Sequence, residues 1–239
     1  MSLDQKRARI FGVLYLITFI TSIPALLLYG PVLHQADYVV SGGSDDQIFL
    51  GAALELLLIV ANIGTAVVIF PIVKRQSEEL ALGYVTARLF ECTFILVGIV
   101  SVLGIVTLRQ QVAGPSEGTV AYTLAALKDW TFLLGPGWVV GWGNGLILGY
   151  LMYRSALVPS KVAWLGMVGG PLVIASGTAV MFGVDHPSGT LQGLATIPEF
   201  LWELFLGVYC TIKGFRPSSP ILRSDVREHR AVVPAPAPA

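Results

Sequence analysis

Residues 48–73 read IFLGAALELLLIVANIGTAVVIFPIV, 26 positions in which Glu55 is the sole charged side chain. About 20 mostly apolar residues cross the hydrocarbon of a bilayer as a helix. The run is too long for a core strand and lacks the alternation of a barrel strand. Lipid offers no hydrogen bonds to a bare backbone, so a segment of this kind satisfies its own peptide groups as a helix. Five further stretches read the same way, at 10–28, 82–108, 130–153, 162–183 and 191–212.

The composition agrees with that reading. Of the 239 residues, 54% are hydrophobic and 13% charged, and the mean hydropathy is +0.74. An average soluble domain carries roughly 25% charged residues. The same values exclude disorder, collagen and coiled coil for the bulk of the chain. The expected fold is an all-α membrane protein, a bundle of six transmembrane helices over residues 1–215. Residues 216–239, which end in PAPAPA, read as a disordered cytoplasmic tail. The first span follows basic residues as a signal peptide would, but its apolar run is longer and no small-x-small cleavage site follows, so it reads as a retained helix.

Orientation follows from the bases beside the spans. Lys6, Arg7, Arg9, Lys74, Arg75, Arg154, Lys161, Lys213, Arg216, Arg223, Arg227 and Arg230 fall on one side, which makes 12 of the 15. Arg109 and Lys128 fall on the other, and Arg88 lies within a span. Both termini are therefore expected in the cytoplasm. The formal net charge is zero, so charge predicts no nucleic-acid partner. Ser44 to Gln47 reads as a capping box for the second helix, Ser77 as a cap for the third and Ser160 as a cap for the fifth. Residues 120–127 read as a short interfacial helix ahead of Trp130.

Gly137, Gly141, Gly145 and Gly149 recur every four residues and put one glycine per turn on one face of the fourth span. Such a face lets helix backbones approach closely, within one chain or in a homo-oligomer. Gly166 and Gly170 give a shorter version in the fifth span. Cys92 and Cys210 lie in different spans and read as packing residues rather than a disulfide or a metal pair. The five tryptophans read as interfacial or packing residues.

The most informative residues are the ionisable ones inside the spans, because each costs a few kcal/mol to insert and such groups turn toward the bundle interior. They are Glu55, Arg88, Glu91, Glu199 and Glu203, with Asn62 and Asn144 as neutral polar companions. Arg88 and Glu91 are spaced to pair on one helix face, and Glu199 and Glu203 also share a face. One base against four acids leaves about three carboxyls to be protonated, hydrated or bound to a cation, with no second base available in the spans. Glu199, directly after Pro198, has a simpler reading as a helix N-terminal residue near the headgroups. The three histidines, His34, His186 and His229, all lie outside the spans, the pair Asp185-His186 reads as loop polarity ahead of a metal role, and no HExxH, Walker A or GxSxG motif occurs. No cofactor is expected.

Three groups of residues resemble a known family. The first is the run from Arg9 to Thr18, RIFGVLYLIT, together with Arg88-Leu-Phe-Glu91. The second is Tyr153-Arg-Ser-x-x-Val-Pro159 followed by Leu165-Gly166, and the third is Pro198-Glu-Phe-Leu-Trp-Glu203 through Lys213-Gly-Phe215. In this order and spacing they resemble the bacterial multi-helix membrane proteins grouped as domain of unknown function 4386, over about Arg9 to Phe215. The resemblance implies a multi-pass protein of the bacterial plasma membrane and brings no activity, substrate, cofactor or catalytic residue.

The reading favoured for function is a small transporter or a proton- or cation-coupled permeation protein that uses the Glu/Arg cluster. Its partners would be membrane lipids and a proton or small polar ligand. A short echo between Leu89-Phe-Glu91 and Leu201-Trp-Glu203, in spans of opposite direction, suits a two-half design. The alternatives are a scaffold or sensor subunit assembled through the glycine face, and an intramembrane enzyme acting on a lipid-like substrate.

Overall fold

The computed structural model describes residues 1–34, 38, 44–111, 117–187 and 189–222. Six helices among them are long and apolar enough to cross a membrane: Leu3–Leu28, Asp45–Val73, Glu78–Gln111, Gly118–Ser155, Ser160–Met181 and Thr190–Ile212. No strand occurs among the described residues. Each span packs against its neighbours in sequence, and the sixth returns to pack against the first. The spans thus form a closed ring with an interior.

Two apolar cores brace the ring. At the terminal end, which carries the N-terminus and residues 213–222, Phe11, Tyr15, Ile69, Tyr84, Met152, Trp202 and Phe215 are fully or almost fully buried together. Toward the far end, Tyr29, Tyr38, Ile48, Val102 and Ile105 form a second cluster. Large apolar side chains such as Ile20, Leu27, Val60, Val67 and Val100 point out of the ring. In water such an apolar surface would be an aggregation hazard, whereas in a bilayer it is the surface that lipid covers.

The fourth span departs most from expectation. It begins well before Trp130, because the expected interfacial helix is continuous with it. It runs as α-helix over Glu117–Phe132, as π-helix over Leu133–Val139 and again over Gly141–Leu148, then as α-helix over Gly149–Ser155. Ala156 closes it in the left-handed conformation, at φ 52°. Two of the expected caps also differ. Ser44 stands at the N-cap of the second span with no capping bond from its side chain, and Ser160 is already the first helical residue after Pro159. Asp45 is drawn elsewhere: it accepts from Arg109, Tyr38 and Gln110. Ser77 does cap the third span, with Oγ accepting from Leu80 N at 3.2 Å.

The glycine face packs within the chain. A Cβ at Gly141 would meet Gly170 O at 2.7 Å, one at Gly145 would meet Gly170 Cα at 2.5 Å, and one at Gly149 would meet Met167 N at 3.1 Å. Only backbone without side chains allows this approach of the fourth and fifth spans. Gly137 stands apart, with nothing nearer than 3.6 Å.

The bundle also extends past the expected boundary at residue 215. Arg216 N donates to Leu157 O at 2.9 Å, Ser219 Oγ donates to Ser155 O at 2.6 Å, and Ile221 is buried in the core at the terminal end. Residues 216–222 therefore belong with the helical domain. The rest of the expected tail, 223–239, lies outside the described residues. At the same end Arg75 pairs with Asp4 at 2.8 Å, and Gln5 Nε2 donates to Phe215 O at 2.6 Å. These contacts tie the N-terminus to the loop after the second span and to the end of the sixth.

Candidate functional site

Inside the ring the polar side chains form two ionic layers with a cavity between them. In the layer nearer the far end, Lys128 Nζ lies 2.7 and 2.8 Å from the two carboxylate oxygens of Glu55. Tyr29 OH donates to the same carboxylate at 3.0 Å, and its ring lies 4.8 Å beneath the ammonium. Lys128 is 3% exposed and Glu55 is 7% exposed. The expectation that no second base lies among the spans is thus corrected. Lys128, read as a loop residue, enters the interior because the fourth span starts earlier. Gly98 of the third span gives it room: a Cβ there would come within 2.9 Å of Lys128 Cδ.

The second layer lies nearer the terminal end. Arg88 Nη1 donates to Glu91 Oε2 at 2.7 Å, and Asn62 Nδ2 donates to the other oxygen, Oε1, at 3.0 Å. The guanidinium stacks 5.1 Å from the ring of Tyr15 and 5.9 Å from that of Tyr84, and Arg88 Nε donates to Tyr84 OH at 3.3 Å. Tyr15 OH and Tyr84 OH are 3.3 Å apart, with Thr65 at the same hydroxyl. A desolvated guanidinium between aromatic faces is well held, and its hydrogen bond to a carboxylate balances the charge. Replacing either partner of such a buried pair leaves a charge without compensation.

The third group comes from the sixth span. Glu203 accepts from Asn144 Nδ2, and Trp202 Nε1 donates to the backbone oxygen of Asn144 at 2.9 Å. Asn144 sits in the second π-helical stretch, so one residue of that irregular segment is gripped by two consecutive residues of the sixth span. Glu199 lies one turn earlier and is 2% exposed. Neither of its carboxyl oxygens has a hydrogen-bond partner among the described residues, and the same holds for Asn144 Oδ1. Glu199 is well inside a helix that begins at Thr190, so its reading as a first-turn residue near headgroups is overturned.

A cavity of about 110 Å³ lies where these groups meet. Glu55, Asn62, Arg88, Glu91 and Glu203 line it, with Thr18 and Ser22 of the first span and an apolar wall that includes Leu26, Leu58, Phe132, Pro136 and Val140. That volume holds several waters, since one needs about 10–15 Å³ by this measure. Five of the seven expected polar residues converge on it. Asn144 stands behind Glu203, and Glu199 is set back between the fourth, fifth and sixth spans. The two glutamates of the short sequence echo, Glu91 and Glu203, face the same space.

The charge arithmetic is now definite. Four carboxyls and two bases lie within the ring, and two close pairs use Glu55, Glu91, Arg88 and Lys128. Glu199 and Glu203 have no base as an ion-pair partner among the described residues. No group of three or more His, Cys, Asp or Glu that could hold a metal ion occurs among the described residues. Asp185, in the loop before the sixth span, accepts from Gln192 N at 3.2 Å and serves that helix start.

The chain belongs to the family described as Domain of unknown function (DUF4386), which it matches over residues 10–214. The match spans all six helices and every residue of the cavity. No curated protein and no solved structure matches the chain. Family membership therefore assigns no chemistry, and the side chains must supply the functional reading.

Proposed function

We propose that the protein is a small permeation protein of the plasma membrane, in which protons or small cations pass through the polar cavity and Glu203 is the carrier group. One observation supports this above the others. The cavity is lined by the Arg88–Glu91 pair, by Glu55, whose charge Lys128 balances from behind the wall, and by a carboxyl, Glu203, with no base of its own. An ionised Glu203 gives the cavity a net negative charge, which a proton or a cation neutralises. The layers on either side, Glu55–Lys128–Tyr29 and Arg88–Tyr84–Tyr15, confine that charge to the middle of the ring. Intramembrane carboxyls facing an internal cavity are the usual form of ion and proton pathways.

The termini are assigned to the cytoplasmic side on the distribution of basic residues. Burial of Lys128 supports this assignment, because it leaves Arg109 as the opposing base among the described residues, and Arg109 is paired with Asp45. The glycine face gives little support to a scaffold reading, since the fifth span already fills it.

The test uses purified protein in liposomes that contain a pH-sensitive dye, with a potassium-diffusion potential to drive proton entry. The wild-type protein is expected to acidify the lumen faster than empty liposomes, and Glu203→Gln to slow entry at least about tenfold, one ~1.4 kcal/mol step in rate. Equal rates for wild type and variant would overturn the proposal.

A further inference from the structure

The sixth span carries a polar stripe that the cavity does not fully use. Gln192, Thr196, Glu199 and Glu203 follow one another at steps of four, three and four, which places them on one helix face. Leu191, Leu194, Ile197, Leu201 and Val208 are exposed on the rest of the helix, as lipid contact requires. From Thr190 to Pro198, however, no residue is buried, and on the polar side Gln192 is half-buried and Thr196 exposed. Thr196 is exposed, and a Cβ added at Gly193 would find nothing within 4 Å. Thr196 Oγ1 donates to Gln192 O at 2.8 Å, and with the Gln192 amide it forms a polar edge that leads to Glu199.

Glu199 is the first buried residue along that stripe. Its carboxyl occupies a niche walled by glycine: a Cβ at Gly145 would lie 2.8 Å from Oε2, and one at Gly169 would lie 2.9 Å from it. Both carboxyl oxygens are nevertheless without partners, as is Asn144 Oδ1 beside Glu203. A well-packed core does not leave three acceptors unmatched without a reason. The charged groups that act on Glu199 are Glu203, one turn further along the same helix, and Arg88 from the third span. At their points of contact the fourth and fifth spans present the glycines Gly145 and Gly169.

We propose that Glu199 is a proton relay on a water path that follows this stripe from the far end of the bundle to Glu203. The proposal deepens the permeation reading and rests on it for the proton's destination. In the transfer the O–H bond of the Glu199 carboxyl breaks, and an O–H bond forms on the Glu203 carboxylate, directly or through one water. The transfer itself conserves one proton and one negative charge on the pair. Glu203 then releases its proton into the cavity, and Glu199, now the carboxylate, takes the next one from a hydronium ion delivered along the stripe, so that each cycle moves one proton inward and leaves the pair as it began.

Two experiments test the path and the relay separately from flux. In a Cys92→Ala, Cys210→Ala background, Gln192→Cys and Thr196→Cys are expected to react with a membrane-impermeant charged maleimide at least tenfold faster than Leu194→Cys and Ile197→Cys. Labelling of Thr196→Cys no faster than Ile197→Cys would overturn the water path. Infrared difference spectra of the wild-type protein across a pH titration are expected to show a protonated-carboxyl band that Glu199→Gln removes and Glu199→Asp retains. A band unaffected by Glu199→Gln, in a variant that still elutes as a folded protein, would overturn the relay. If the band behaves as expected but the wild type passes no protons, the permeation reading fails and the proton site stands. If protons pass and Glu199→Gln leaves the band and the rate unchanged, the relay fails and the permeation reading stands.

Discussion

Replacing Lys128 by methionine removes one charge from a pair that the bundle encloses. Lys128 Nζ contacts both oxygens of Glu55 at 2.7 and 2.8 Å, and the two side chains are 4% and 9% exposed. Methionine retains most of the apolar stem but leaves the carboxylate facing Tyr29 OH alone. Breaking one side of a buried pair costs about 3–5 kcal/mol, most of it from the charge left behind. Glu55→Gln in the same position strands the ammonium above the Tyr29 ring, with a loss of similar size. The double variant Glu55→Gln, Lys128→Met strands neither charge, and the glutamine still accepts from Tyr29. Its loss is therefore expected to be smaller than that of either single change, which gives a coupling of at least ~2 kcal/mol in a double-mutant cycle. Unfolding in mixed detergent micelles, titrated with a denaturing detergent and followed by tryptophan fluorescence, measures all four proteins. Additive losses, with coupling inside about 0.5 kcal/mol, would refute the buried pair and return Lys128 to the membrane surface.

Other consequences can be checked with the same assay. Gly145→Ala puts a methyl 2.5 Å from Gly170 Cα and is expected to destabilise by about 1–3 kcal/mol, whereas Gly193→Ala meets nothing and should be neutral or slightly stabilising. Trp202→Phe keeps an aromatic side chain but deprives Asn144 O of its donor and leaves part of a fully buried site empty, an expected loss of at least about 1–3 kcal/mol, and the change should also weaken the Asn144–Glu203 contact. A chain truncated after Phe215 is expected to melt at a lower temperature than one truncated after Leu222, because it lacks the Ser219–Ser155 bond and the burial of Ile221. Equal melting temperatures would place the domain boundary back at 215.

The spans were legible in the sequence because twenty apolar residues in a row have one economical conformation in lipid. The charges within those runs were legible too, since each stands out against an apolar background. Partners on other helices were not. Lys128 precedes the apolar part of its span and sits in a stretch of ordinary polarity, so nothing local separates it from a loop residue. Its partner is 73 positions away in sequence. The available signal was indirect: Glu55 had no base in its own span, and Gly98 stood on the third span with no local reason to be glycine. Trp202 was likewise indistinguishable from a belt residue until Asn144 appeared beneath it. At Ser44 the expected cap bond is absent, and the acid beside it, Asp45, pairs instead with Arg109, an interaction that depends on the third span's position.

The π-helical stretches of the fourth span set an angular phase. In an α-helix each residue advances the chain by about 100°, and a π segment carries an extra residue per turn relative to that count. Lys128 precedes the first stretch and Asn144 lies in the second. The irregular turns therefore decide that both can point into one interior while the glycines between and after them lie against the fifth span. With the π turns kept, deleting a single residue between 133 and 139 would rotate Lys128 by about a quarter turn relative to Asn144, toward lipid or a neighbouring helix. The span would still cross the membrane, but the ionic layer at the far end would be uncoupled from the glutamates below it. A length change that hydropathy cannot detect would thus be among the most disruptive the chain could suffer.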